Sequence, residues 1–128
     1  MKKALIIAAL LTTMAHADVQ KKNYSSGELK SEANYVDGKR NGLAKGYYKN
    51  GKLKYETNFK NDKREGLSKG YYKNGKLKFE KQYKNGQLEG VSKEYYKNGK
   101  LKSKWTFKED LPISGNKFDK DGKPIENK

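Results

Sequence analysis

Residues Tyr47–Gly70 read YYKNGKLKYETNFKNDKREGLSKG, and the next stretch, Tyr71–Glu94, reads YYKNGKLKFEKQYKNGQLEGVSKE. A third, Tyr95–Phe118, reads YYKNGKLKSKWTFKEDLPISGNKF, so the chain repeats itself every 24 residues. A weaker copy, Asn23–Gly46 (NYSSGELKSEANYVDGKRNGLAKG), comes before them. A half-copy, Phe118–Ile125 (FDKDGKPI), follows one residue out of phase. Leu29, Leu53, Leu77 and Leu101 fall in register, as do the aromatics Tyr35, Phe59, Tyr83 and Phe107. Self-similarity at a fixed period marks a repeat architecture, in which each unit buries its apolar face only by stacking on its neighbours.

Each unit carries two turns. Asn50-Gly51, Asn74-Gly75 and Asn98-Gly99 form the first set. Asn-Gly between strand-like residues is the strongest short hairpin signal, since both central positions of a type I′ turn need positive φ. The second set is less regular: Asp37-Gly38, Asn61-Asp62 and Asn85-Gly86. Turns at this spacing predict a meander of short antiparallel strands. After each Asn-Gly the residues alternate. Leu53, Tyr55, Thr57 and Phe59 share one face, and Lys54, Glu56, Asn58 and Lys60 the other. The next copies place Leu77, Phe79, Lys81 and Tyr83, then Leu101, Ser103, Trp105 and Phe107, on the packed face. The expected fold is all-β: an elongated single antiparallel sheet of stacked β-hairpin repeats, with roughly eight or nine strands about 4.8 Å apart.

Paired tyrosines end the strand before each Asn-Gly: Tyr47-Tyr48, Tyr71-Tyr72 and Tyr95-Tyr96. Neighbours in a strand face opposite ways, so one ring of each pair serves the packed face and the other is a candidate for binding a partner. Gly46 and Gly70 precede two of the pairs, and a strand glycine lets a neighbouring ring lie flat across the backbone.

The chain has 128 residues, with 30 Lys+Arg against 15 Asp+Glu and a net charge of +15. Apolar residues make up 33%, too few for a large aliphatic core, whereas ten tyrosines argue against plain disorder. There is no cysteine, and His16 is the one histidine. Met1-Lys2-Lys3, the apolar run Ala4–Leu11 and the small-x-small site Ala15-His16-Ala17 stand in the order of an export signal. The expected organisation is a cleaved signal peptide over 1–17, a short lead-in over 18–22, four hairpin repeats over 23–118, and a partial repeat or cap over 119–128. The processed chain would be soluble, in the periplasm or secreted.

The copies YYKNGKLK…Y/FK…GL/VSKG resemble MORN repeats, in the bacterial variant form with a Y-x-N-G-K-L-K hairpin and a G-x-x-K/E-x-Y-Y strand. The resemblance covers residues 23 to about 125. It implies stacked hairpins and a role in binding or scaffolding rather than catalysis. Similar proteins are often labelled antitoxin components of toxin–antitoxin pairs. In the last copy Leu111-Pro112-Ile113 replaces the second turn, which reads as an end cap.

The residues bound the chemistry further. Once the signal is removed no His or Cys remains to serve a nucleophilic triad, so no enzyme activity and no catalytic residue is expected. Glu32, Glu56 and Glu80 recur at the repeat period beside Lys30, Lys54 and Lys78, which reads as a compensated, solvated face. Asp119-Lys120-Asp121-Gly122 lacks the spaced acids of a calcium loop and reads as a turn, so neither metal nor cofactor is expected. The basic excess attracts anions, but it is nearly all lysine, a diffuse attractor rather than a specific reader of nucleic acid.

Two classes of function remain. The first is a protein-interaction or scaffolding module of the cell envelope or secretome, with Tyr47, Tyr48, Tyr71, Tyr72, Tyr95 and Tyr96 as candidate partner-binding residues. Self-association through the sheet edges belongs to the same class. The alternative is a basic binder of anionic membrane lipid or surface glycan, with Lys54, Lys78 and Lys102 as candidate anion-binding residues. An antitoxin-like partner-binding role is a second alternative. A cell-wall carbohydrate module ranks lower, because such repeats are rich in Trp and this chain has only Trp105.

Overall fold

The computed structural model describes residues 14–126. Its strands are β1 (Ala17–Asn23), β2 (Leu29–Val36), β3 (Lys39–Tyr47), β4 (Leu53–Lys60), β5 (Lys63–Tyr71), β6 (Leu77–Lys84), β7 (Gln87–Leu88), β8 (Gly90–Tyr95), β9 (Leu101–Lys108), β10 (Leu111–Phe118) and β11 (Pro124–Ile125). They form one open antiparallel sheet in chain order, with β7 pairing to β6 beside β8. The count is eleven rather than eight or nine. The segment expected as a lead-in belongs to β1, which pairs from Ala17 opposite Val36 to Lys22 opposite Ser31. The strand of the third repeat divides at Glu89 into β7 and β8. Residues 1–13 of the expected signal lie outside the described residues, as do 127–128 at the other end.

The two sets of turns exchange the roles expected for them. At Asn50-Gly51 only the glycine has positive φ, 84°. The Gly51 N–H donates to the Tyr48 carbonyl at 2.9 Å, and the Tyr48 N–H donates to the Lys52 carbonyl at 2.8 Å. This is a three-residue loop, a type I turn followed by a left-handed glycine. The Asn50 side chain accepts from the Lys52 N–H at 2.9 Å. The two-residue turns with positive φ at both positions are instead Asp37-Gly38, Asn61-Asp62, Asn85-Gly86 and Glu109-Asp110. The last of these corrects the expected end cap: Leu111-Pro112-Ile113 begins β10, and the turn lies just before it. At the other end, Asp119 accepts from the N–H groups of Asp121 and Lys123, each at 2.9 Å, and closes a turn.

These turns also clasp the hairpin behind them. The Arg40 N–H donates to the Asp62 carboxylate at 2.8 Å, and the Asp62 N–H donates back to the Arg40 carbonyl at 3.0 Å. Asp110 holds Leu88 in the same way, at 2.7 and 3.0 Å. Each clasp reaches one repeat back along the chain, so neighbouring units lock as a pair rather than merely abutting.

The alternation of faces holds, but the packed face is built differently from expectation. Its buried centre is a row of small residues, Ala44, Thr57, Ser68 and Ser92, with Ser103 nearby. Ala33, Ala44, Thr57 and Ser68 stand opposite one another from strand to strand. Larger rings flank this row. Tyr55 lies on Gly46, where a Cβ would stand 2.1 Å from its ring, and Phe79 lies on Gly70 at 2.2 Å. The third unit has Glu94 at the equivalent place, and Trp105 lies instead on Gly115. Gly42, Gly66 and Gly90 have positive φ where the pairing register slips in each unit. A bulge there bends its strand.

Candidate functional site

The two members of each tyrosine pair have different partners. The Tyr47 and Tyr71 hydroxyls donate to Glu32 and Glu56 at 2.9 and 3.0 Å. Burial raises the phenol pKa of Tyr47 and of Tyr71, and the adjoining carboxylate raises each further. Tyr95 is raised in the same direction, by burial first and then by the charge of Glu80. The second member of each pair reaches forward. The Tyr48, Tyr72 and Tyr96 hydroxyls donate to the carbonyls of Tyr71, Tyr95 and Phe118 at 2.6, 2.7 and 2.8 Å. Tyr24 does the same toward Tyr47 at 2.6 Å.

The candidate lysines sit on these same rings. The ammonium groups of Lys54, Lys78 and Lys102 stand 5.6, 5.7 and 5.7 Å from the ring centroids of Tyr48, Tyr72 and Tyr96. The structure thus brings the two candidate sets together, as cation–π pairs on a hydrogen-bonded ladder that joins the repeats.

Besides the lysines two residues before them on the same strand, the repeating glutamates have lysines as cross-strand partners. Across the sheet, Lys21 faces Glu32, Glu32 faces Lys45, Lys45 faces Glu56, Glu56 faces Lys69, Lys69 faces Glu80, and Glu80 faces Lys93. Charge therefore alternates along this row until Lys93 meets Lys104. Opposite charges directly across a sheet stabilise it modestly, and like charges do the reverse.

The small-residue face carries a groove of about 550 Å³. Ala44, Thr57 and Ser68 form part of its floor, and Tyr55, Phe59, Phe79 and Tyr83 rise beside it. Its cations are ordered. The Arg40 guanidinium stands 5.1 Å from the Phe59 ring centroid and the Arg64 guanidinium 5.3 Å from that of Tyr83. These are the chain's two arginines, one period apart, and the Asp62 clasp fixes the backbone of the first. The Lys81 ammonium stands 5.0 Å from the Phe79 centroid. Lys54 and Lys78 reach round from the charged face to line the groove as well, and the Glu32 carboxylate lines it beside them.

Arg40, Arg64, Ala44 and Ser68 were not among the sequence candidates. Their signal was present in the period, since each pair is separated by one repeat. They lie on the strand before the next Asn-Gly, where two arginines and two small residues make no apolar alternation of the kind that marks the strand after it.

The MORN repeat variant model matches residues 19–37, 40–61, 64–85 and 88–109, together more than half of the chain. Three of the matched units begin 24 residues apart, and the first starts inside β1. No curated protein matches the chain. The stacked hairpins and the four matched units together place this chain in the MORN repeat variant family.

Proposed function

We propose that this chain is an exported, non-enzymatic interaction module of the cell envelope or secretome, which holds an anionic partner against the groove face of its sheet. One observation carries the reading. Both arginines are stacked on rings of this face, one repeat apart, beside an open groove. A guanidinium held over a ring offers a pre-oriented fork to a carboxylate, sulfate or phosphate, where a free lysine offers only attraction. The tyrosine hydroxyls expected to meet a partner are already donating within the protein, and the opposite face balances much of its charge along the Lys–Glu row. Both observations point to the groove face for binding. Family membership supports binding rather than catalysis, since MORN repeats are binding modules. Export rests on the order of charge, apolar run and cleavage site at the N-terminus.

The test is mapping by NMR with dextran sulfate at near-physiological salt. Resonances of Arg40, Arg64, Tyr55 and Phe79 shift if the reading is right. Shifts confined to Lys45 and Lys69 would move the site to the other face and end it. For export, N-terminal sequencing of the released protein should begin at Asp18.

A further inference from the structure

We infer that the groove is a binding site for an extended acidic polysaccharide, with sugar rings stacked on Tyr55 and Phe79 and carboxylates met by Arg40 and Arg64. This rests on the reading of the groove face as the binding surface and names the class of ligand it takes.

The first observation is the lie of the rings. Gly46 and Gly70 have no side chain, so Tyr55 and Phe79 fold down flat onto the backbone. Tyr55 keeps an outward face and remains 39% exposed, whereas the outward face of Phe79 carries the Lys81 ammonium, 5.0 Å from its centroid, which a sugar ring stacking there displaces. The electron-rich face of a flat ring attracts the C–H side of a pyranose, which is why such platforms suit sugars.

The second is their spacing. Tyr55 on β4 and Phe79 on β6 are two strands apart, about 10 Å at ordinary strand separation. An extended β-1,4-linked glycan turns alternate rings to the same side over a similar length, so it meets both platforms in register. An extended peptide brings a side chain to the same side about every 7 Å and drifts out of register with them.

The third is charge. Arg40 and Arg64 recur with the same two-strand period, on the side of the small-residue row away from Tyr55 and Phe79. A polymer with a carboxylate on each ring offers its acids at the interval at which the protein offers its forks.

The experiment is calorimetric titration of the purified protein with a hexamer of β-1,4-linked mannuronate at near-physiological salt. Cellohexaose, a dT oligonucleotide and a polyglutamate peptide serve as comparisons. The mannuronate hexamer should bind at least tenfold more tightly than any of these. The double variant Arg40→Lys, Arg64→Lys keeps the charge and should weaken mannuronate binding about tenfold. Tyr55→Leu should weaken it while Tyr55→Phe should not, with thermal melting to show that each variant is folded. Unchanged binding in the folded arginine variant, or equal affinity for dT or polyglutamate, overturns the assignment. If mannuronate does not bind while dextran sulfate still shifts the groove residues, the ligand class falls and the groove reading stands. If neither touches the groove, both fall.

Discussion

The Tyr48 hydroxyl donates to the Tyr71 carbonyl at 2.6 Å, across the boundary between two repeats. Tyr71, the acceptor, sends its own hydroxyl back to Glu56 at 3.0 Å. One tyrosine of each pair thus ties its repeat to the next while the other ties back, and the Tyr-Tyr dipeptide works as a coupling. Tyr48→Phe keeps the ring and its lysine partner but leaves the Tyr71 carbonyl without this donor. A net loss of about 1 kcal/mol follows, seen as a fall of a few degrees in melting temperature. An unchanged melting temperature would mean that stacking alone couples the units.

Gly70 is required by Phe79. A Cβ at position 70 would stand 2.2 Å from that ring. Gly70→Ala should therefore force the ring off the backbone and cost about 1–3 kcal/mol. Adding Phe79→Ala should recover much of that loss, because the clash is shared by the two residues. Strictly additive urea midpoints would count against the ring–glycine contact.

The charged row ends in a conflict. Lys93 faces Glu80 on one side and Lys104 on the other. Lys104→Glu should extend the alternation and raise stability by about 0.2–1 kcal/mol, an effect that shrinks with added salt. Glu80→Lys should do the opposite, since residue 80 lies between Lys69 and Lys93. Equal stability of the two variants would remove the row from any account of the fold.

Alkaline pH should loosen the repeats. Tyr47, Tyr71 and Tyr95 are each held above the ordinary phenol value, first by burial and then by Glu32, Glu56 and Glu80. Folding thus binds these protons more tightly than the unfolded chain does. The stabilisation is complete below the unfolded value of about 10 and fades as pH rises through the higher folded values. The stability gap between the native chain and Tyr71→Phe should be constant from neutral pH to mildly alkaline pH and narrow above about 10. A gap that widens there would reverse the assigned sign.

Much of the fold is legible in one dimension because the information is local. Alternation after Asn-Gly sets which side chains share a face, since the pleat turns successive residues to opposite sides. Repetition makes each unit's neighbour another copy of itself, so stacking follows. The flat ring on Gly46 was readable too, because a glycine in a strand otherwise weakens it. The turns were not readable in the same way. Asn50-Gly51 has the composition of a two-residue turn, yet Tyr48 closes on Lys52 and leaves three residues in the loop. Glu109-Asp110 lacks that composition and takes the two-residue form. Turn type here follows the register of the paired strands, which the dipeptide alone does not set.

The amino-acid sequence by itself determined the repeat, the all-β class, the two-faced strands and the close approach of ring to glycine. Only the tertiary structure decided which tyrosine ties forward and which ties back, and which lysine faces which glutamate. It also brought Arg40, Phe59, Arg64 and Tyr83 together over a floor of small residues. The reason is distance along the chain. Those neighbours come from different strands, and a bulge in each unit shifts the register before they meet. A shift of one residue would send the same side chains to the other face, so the groove exists only once the sheet has formed.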